Sequence, residues 1–187
     1  MPSIPDLIQP LRDDDVEVRF AAERDIPEIL IAYQDDPRLH LKLGFERPPS
    51  GAELGRAIES AAAERAAGTG ARLTMVQLGS DEFGGQIDLR RIDWDHASAE
   101  IGIWLAPAVR SRGLGRRALG LASRWALNAC GLERVGILTE PGNEAMTAAA
   151  RGAGFTPEGV LRGYLRERGR RVDRAVLSLI KSDLRPS

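Results

Sequence analysis

EIGIWLAPAVRSRGLGR, residues 100–116, combines an apolar strand, an exit marked by a proline, and an Arg/Gly turn that opens into a helix. Gly113 and Gly115 have no side chain to keep the backbone away from a ligand. The first turn of the helix directs unpaired N–H groups and the positive end of the helix dipole at the same place. Three arginines add positive charge there: Arg110, Arg112 and Arg116. The turn therefore predicts a binding site for a phosphate group.

The spacing of these glycines excludes two common kinds of phosphate loop. No Lys-Ser/Thr pair follows them, so the turn is not the P-loop of a nucleotide hydrolase. A dinucleotide fingerprint would have a third glycine where the chain has Ala118, and an acidic residue about 20 positions later at a strand end. Taken alone, the six residues from Arg110 to Gly115 also fit an ordinary strand-to-helix turn with solvated arginines.

Composition and charge exclude several other classes of function. The chain has 187 residues, enough for one domain with a sizeable core, and its formal net charge of −1 provides no strong attraction to nucleic acid or anionic lipid. Its one cysteine, Cys130, excludes an intramolecular disulfide and suits a reducing cytosol. No long apolar run or signal-peptide pattern is present, and His40 and His96 lack partners at metal-ligand spacing. We therefore expect a cytoplasmic protein that binds no DNA, membrane or metal.

Turn and cap signals divide the chain into a tail and one domain. Prolines and the acidic run Asp13–Asp15 predict a mobile or loosely docked tail over residues 1–15, followed by a single domain over 16–183. Capping boxes at Asp25-x-x-Glu28 and Ser50-x-x-Glu53 predict the starts of two helices. The other predicted elements are a strand at 16–20, three antiparallel strands at 73–78, 86–91 and 98–105, a helix at 113–129, a strand at 135–139, a short helix capped by Asn143, and a hairpin at 159–180.

This order of elements resembles that of the GNAT acetyltransferase superfamily over about residues 16–181. Arg110-x-x-Gly113-x-Gly115 is similar to the family's acyl-CoA pyrophosphate loop, Gln/Arg-x-x-Gly-x-Gly/Ala. Residues 99–107 resemble its central strand, and Asn143, twelve residues before Phe155, resembles the Asn of the motif that ends in Gly-Phe. Residues 155–159, FTPEG, resemble the GF-x-x-EG run of the branch that contains ribosomal-protein N-terminal acetyltransferases of RimJ and RimL type.

The resemblance implies a fold and a cosubstrate. The fold is α/β, with a central, mostly antiparallel sheet whose parallel central strands splay apart after a bulge, flanked by about four helices. Acetyl-CoA inserts into the opening, where its pantetheine arm pairs with backbone groups of the central strand like an added strand, and Asn143 approaches it from the other splayed strand. The implied backbone partners of the pantetheine are Ile103, Trp104 and Leu105. The implied diphosphate site is the backbone of Ser111, Arg112, Gly113, Leu114, Gly115 and Arg116.

The resemblance also implies a direct transfer of the acetyl group to a primary amine, which is a protein N-terminus, an amino acid or a small amine. Glu100 is the candidate base, because an Ala-Glu-Ile sequence on this strand carries the base in histone-acetylating members of the superfamily. The alternative is that Glu100 is solvated or pairs with an arginine such as Arg91. Relatives often protonate the leaving thiolate with a Tyr or a Ser, where this chain has Ala150 and Met146.

Two alternatives remain open from the sequence. Since the usual acid is missing, either Tyr164 on the hairpin substitutes for it, or the thiolate leaves with help from water and the positive field of the loop. The second alternative is that the chain is a non-catalytic acyl-CoA-binding regulatory module. The amine acceptor is expected to lie against the two early helices, the loop at 36–50 and the C-terminal hairpin. Edge strands could pair two copies, which leaves a homodimer open.

Overall fold

One mixed sheet organises the computed structural model of the chain, in which residues 3–167 and 169–184 are described. Its strands are β1 Leu11–Arg12, β2 Val16–Phe20, β3 Ala71–Gln77, β4 Glu82–Asp93, β5 Ser98–Leu105, β6 Arg134–Thr139, β7 Thr156–Glu167 and β8 Arg170–Ile180. The strand order is β1-β2-β3-β4-β5-β6-β8-β7, and the pairing is antiparallel except between β5 and β6. The predicted α/β fold with a parallel central pair is confirmed.

Helices lie between the strands in the predicted order, with one addition. They are α1 Ile26–Asp35, α2 Leu39–Lys42, α3 Gly51–Ala66, α4 Leu114–Asn128 and α5 Glu144–Gly152. The one-turn helix α2 falls in a segment for which the sequence predicted only a loop. No helix in the described residues is long and apolar enough to cross a membrane.

The capping predictions had different outcomes at α1 and α3. At α3, Ser50 and Glu53 form the predicted box: Glu53 N–H donates to Ser50 Oγ over 3.3 Å, and Ser50 N–H donates to Glu53 Oε2 over 2.8 Å. At α1 the predicted box is wrong, because the side chain of Asp25 caps no N–H of that helix. It is buried and accepts from Arg19 and from the Thr74 hydroxyl, 2.7 Å away.

Hydrogen bonds from Arg19 of β2 and Thr74 of β3 therefore replace the predicted helix cap at Asp25. Burial alone would raise the pKa of this carboxyl, yet hydrogen bonds from Arg19, Ala22 N–H and Thr74 outweigh burial and leave the pKa below its ordinary value. A buried carboxylate that satisfies three donors fixes the start of α1 against β2 and β3.

The described residues 3–15, for which the sequence predicted a mobile or loosely docked tail, contact the sheet and the core at several points. Leu11 pairs with Val18, and the side chain of Ile4 is only 7% exposed. Asp13 and Asp15 both form ion pairs with Arg117 on α4. The prolines indicated a tail, yet the segment also contains three apolar residues that contact the core: Ile4, Leu7 and Leu11. We propose one domain that includes this segment.

The core lies mainly between the sheet and α4. Alternate strand side chains enter it, among them Val18, Leu73, Ile87, Ile101 and Val135, each at most 2% exposed. Trp125 of α4 meets Phe20 edge-on, with ring centroids 6.0 Å apart. Burial of each large aliphatic side chain contributes roughly 1.5–3 kcal/mol, so this face fixes α4 and the turn before it.

Candidate functional site

The two parallel strands at the centre of the sheet separate soon after they pair. β5 and β6 pair at only three positions, ending at Glu100 and Gly136. Beyond that point β5 continues to Leu105 against β4, while β6 pairs with β8 along its length. The register of β5 with β4 is continuous from Glu100 to Leu105, so the nearby bulge, at Gly84, belongs to β4. The predicted splay is present, and its open edge is one side of β5.

Backbone direction along β5 decides which residues face this opening. Ala106 N–H donates to Gly84 O over 3.0 Å, so the backbone of Ala106 points toward β4. A Cβ on Gly85 would overlap the carbonyl oxygen of Trp104, which therefore points the same way. Because alternate residues of a strand direct their N–H and C=O groups to opposite sides, Ile103 and Leu105 face the opening.

Trp104 therefore differs from the sequence prediction. Its backbone pairs across to β4, so it contributes a side chain to the site and no free backbone group. The indole lies between Tyr33 of α1 and Phe83 of β4, with ring centroids 6.4 Å and 5.8 Å away. Beside it, Gln86 is buried, and its Nε2 has no hydrogen-bond partner among the described residues. The sequence signalled neither Tyr33 nor Gln86 as a site residue.

The turn between β5 and α4 presents a row of free N–H groups. In the part of the chain that the structure describes, no N–H from Ser111 to Arg116 has an acceptor, and Arg117 N–H makes the first bond of the helix, to Gly113 O. Gly113 has φ +81° and Ser111 has φ +64°. A left-handed serine costs roughly 1–2 kcal/mol. Strained, unpaired backbone at a helix N-terminus is the geometry that binds an anion.

The two glycines of the turn have different roles. Position 113 favours glycine because its φ is positive, whereas a Cβ there would meet nothing within 4 Å. Gly115 is needed for close packing, since its Cβ would lie 3.1 Å from Leu105 Cδ1. The absence of a side chain at Gly115 thus brings α4 onto the strand, which places the N–H row beside the opening.

Two of the three predicted arginines are already paired. Arg110 lies 2.8 Å from the carboxylate of Asp36, and Arg112 lies 3.0 Å from that of Glu82. Asp36 also accepts from Lys42 over 2.9 Å. The hydrogen bonds from Lys42 and then Arg110 lower the pKa of Asp36 from 3.8 to about 2.

Arg116 is the exception. Its exposed side chain forms no ion pair with any described residue, although it lies in the first turn of α4. The first turn of α4 contains no acidic residue. A cation near the positive end of a helix is unfavourable unless an anion joins it.

Asn143 lies on the far side of the opening, just after β6. Its Oδ1 accepts from Met146 N–H over 3.1 Å and so caps α5, as predicted. Its Nδ2 donates to Thr139 Oγ1 over 3.1 Å, which ties the cap to the end of β6. The residue thus fixes the second wall of the opening.

Glu100 lies where the opening begins, and it is paired. Arg91 Nη1 donates to Glu100 Oε1 over 2.9 Å, and Arg90 Nε lies 3.8 Å from the other oxygen. The ion pair with Glu100 raises the pKa of Arg91, and the Tyr164 hydroxyl adds to that shift. Arg91 has φ +49°. The structural alternative for Glu100, an ion pair with Arg91, is thus present in the fold.

The positions at which relatives carry an acid hold no polar side chain here. Ala150 is fully buried and Met146 packs against the core. Cys130 is buried as well, and burial raises the pKa of its thiol to about 12. A thiol held in this way is no nucleophile near neutral pH.

On the sheet face opposite α4, a cavity of about 270 Å³ lies between α3 and strands β3 and β4. Its polar lining consists of Ser60, Glu64, Arg72, Asp88 and Arg90. Arg90 belongs both to this lining and to the surroundings of Glu100. Arg90 is thus the lining residue that also approaches Glu100 of β5.

An open edge on β5 and a row of free N–H groups at the adjoining helix are features that suit an extended ligand with a phosphate end. Residues 15–156 match the family model for the acetyltransferase (GNAT) domain, so the chain belongs to the GNAT acetyltransferase family. It is an acyl-CoA-dependent N-acyltransferase.

Particular relatives agree with this assignment. The "Uncharacterized N-acetyltransferase YoaA" of Bacillus subtilis (strain 168) is 26% identical over 171 residues, which cover 91% of this chain and 96% of the relative. Mycobacterium smegmatis RimJ in complex with CoA-disulfide has a TM-score of 0.82 at 23% identity, over 92% of this chain and 85% of that one. The ribosomal-protein-S5-alanine acetyltransferase of Vibrio fischeri has a TM-score of 0.78 at 20% identity, over 95% and 100% of the two chains. These two structural likenesses show the fold.

Proposed function

We propose that this enzyme transfers an acetyl group from acetyl-CoA directly to a primary amine. The observation that carries the proposal is the row of unpaired N–H groups from Ser111 to Arg116, at the end of a strand with one free edge. Both features suit one molecule, because CoA has an amide-containing arm of strand-like shape and a diphosphate at its other end.

The proposed placement of CoA follows the opening. The pantetheine arm lies between β5 and β6 and pairs with the backbone of Ile103 and Leu105. The diphosphate lies on the N–H groups from Ser111 to Arg116, and Asn143 closes the second wall through the cap of α5. The thioester then lies near Glu100, where the two strands part.

In the proposed reaction, the nitrogen of a neutral amine attacks the thioester carbonyl carbon, and the C–S bond breaks. A main-chain N–H of β5 polarises the carbonyl oxygen. The amine loses one proton, which Glu100 accepts directly or through water, and the leaving thiolate gains one. Arg91 orients the Glu100 carboxylate, so proton uptake by Glu100 competes with that ion pair. Tyr164 of β7, which is 40% exposed, is the proposed donor to the thiolate.

We propose that the acceptor enters from the face that carries α1 and α3. The cavity beside Arg90 holds both signs of charge, which suits an amine that is part of a larger polar molecule. One structural neighbour is named as a ribosomal-protein-serine acetyltransferase and another as a ribosomal-protein-S5-alanine acetyltransferase, so short peptides that begin with serine or alanine are the first acceptors to test. We further propose a cytoplasmic location, and a homodimer through the edge strands β1 and β7 stays a prediction.

The experiment that tests the function is release of free thiol from acetyl-CoA in the presence of an amine panel. The panel contains peptides beginning with alanine, serine or methionine, free amino acids and polyamines, and mass spectrometry identifies the acetylated product. We expect turnover with at least one class. Binding of CoA without turnover across the panel would instead identify the regulatory module.

A further inference from the structure

We infer that Gly152, on α5, positions Arg116 of α4 for the diphosphate of CoA. Among the arginines of the turn, Arg116 is the one whose positive charge is available to the diphosphate. The inference rests on the proposed CoA site and adds to it a residue that does not touch the ligand. Gly152 lies 36 positions from Arg116 in the sequence, so no local motif joins them.

The contact between the two residues is unusually close. A Cβ on Gly152 would overlap Cδ of Arg116, lie 3.0 Å from its Cγ and lie 3.8 Å from its Nε. The aliphatic stem of Arg116 therefore crosses α5 at the one place where that helix has no side chain. Because the stem lies in this notch, the direction of the guanidinium depends on residue 152.

Conformational freedom does not explain the glycine. Gly152 is helical and is absent from the residues with positive φ, so alanine fits its backbone. Glycine inside a helix is less stable than alanine. The contact with Arg116 is thus the feature of this position that an added methyl group would change.

The other arginines at the turn have different duties. These arginines form ion pairs with acidic residues: Arg110 with Asp36, Arg112 with Glu82, and Arg117 with Asp13 and Asp15. Arg116 forms no such pair in the described part of the chain, and its own N–H is the last of the row of free N–H groups. A diphosphate that lies on those N–H groups would therefore meet Arg116 as its available cation.

Calorimetric titration with CoA tests the inference in five proteins: the wild-type chain, Gly152→Ala, Arg116→Ala, the double variant, and Gly120→Ala. Gly120 is the matched control, since it lies inside α4 and a Cβ there would meet nothing within 4 Å. We expect Arg116→Ala to weaken binding by roughly tenfold or more, the range for a charged hydrogen bond, and Gly152→Ala by roughly three- to tenfold. Gly120→Ala should bind as the wild type does.

The double variant supplies the deciding comparison. If Gly152 acts through Arg116, Gly152→Ala has no further effect on CoA affinity once Arg116 is alanine. The melting temperature of the Gly152→Ala single variant should equal or exceed that of the wild type, which separates a positioning role from a loss of fold. Equal effects of Gly152→Ala in both backgrounds, or none in either, would overturn the inference.

Dephospho-CoA, which keeps the diphosphate but lacks the 3′-phosphate of CoA, tests which of these two groups Arg116 binds. The losses should persist with dephospho-CoA if Arg116 binds the diphosphate, and their disappearance would overturn that placement. A wild-type chain that binds no CoA at all would contradict the proposed function itself, whereas intact binding by Gly152→Ala contradicts only the role of Gly152.

Discussion

The Arg110 guanidinium lies 2.8 Å from the Asp36 carboxylate, and this contact joins the loop before α4 to the segment after α1. Arg110 also donates from Nε to the carbonyl oxygen of Leu105, the last residue of β5. Arg110, the first residue of the family's phosphate motif, thus links the proposed cosubstrate site to the face that carries α1, from which the acceptor is proposed to enter. Its charge is partly neutralised before any phosphate arrives.

Stability should depend on pH through Asp36. Its pKa is lowered from 3.8 to about 2 in the folded protein, chiefly by Lys42 and then Arg110. A carboxyl with a depressed folded pKa stabilises the fold above its ordinary pKa, and that contribution is lost as the pH falls through the folded value. We expect the melting temperature of the wild type to fall more steeply between pH 5 and about 2 than that of Asp36→Asn. Parallel curves for the two proteins would exclude Asp36 as a source of acid sensitivity.

Two changes in the turn should affect stability in opposite directions. Gly113→Ala places a side chain at φ +81° in open space and should cost roughly 1–2 kcal/mol of unfolding free energy. Ser111→Gly relieves a left-handed serine, and we expect a gain of up to about 1 kcal/mol. Chemical denaturation measures both.

CoA affinity should not rise with stability in these two variants. Ser111→Gly keeps every N–H of the row but makes the turn more flexible, so binding should stay equal to the wild type or weaken. Gly113→Ala should weaken it, because the turn must relax to accept the methyl group. Unchanged affinity in Gly113→Ala, with the stability loss present, would separate the turn from CoA binding.

Glu100 should matter to the rate more than to the fold. Glu100→Gln removes the proposed base and the ion pair with Arg91, and we expect kcat to fall by about a hundredfold or more. Arg91→Lys keeps Glu100 and a positive charge, and should alter the pH dependence of the rate with a smaller loss. A wild-type rate for Glu100→Gln from pH 6 to pH 9 would leave Glu100 with a structural role only.

Cys130 should be inert. The residue is 3% exposed, and burial raises the pKa of its thiol to about 12. We expect iodoacetamide to label the native protein very slowly at pH 8 and the denatured protein rapidly. Cys130→Ala should keep full turnover and lose about 1–2 kcal/mol of stability through the small cavity. Rapid labelling of the native protein with loss of turnover would place the thiol near the reaction.

Local signals predicted much of the fold. The strand at 16–20, the capping box at Ser50 and Glu53, the start of α4 and the cap at Asn143 all depend on residues within a few positions of one another. Residues 100–116 were sufficient to predict a strand, a turn and a helix because each carries its own signal.

Several features that the sequence did not predict depend on partners distant in the sequence. Asp25 accepts a hydrogen bond from Thr74 on β3 and does not form the predicted cap. The N-terminal segment packs on the domain through Ile4 and Leu11. The direction of the Trp104 backbone requires the register with β4, which the alternation of side chains does not fix. Likewise, no sequence pattern could show that Arg110 meets Asp36 while Arg116 stays unpaired.

The most direct measurement is a crystal structure of this chain with CoA. The account predicts diphosphate oxygens about 3 Å from N–H groups between Ser111 and Arg116, a usual hydrogen-bond length, and the pantetheine beside Ile103 and Leu105 between β5 and β6. A diphosphate bound at any other part of the surface, with the N–H row still unpaired, would contradict it.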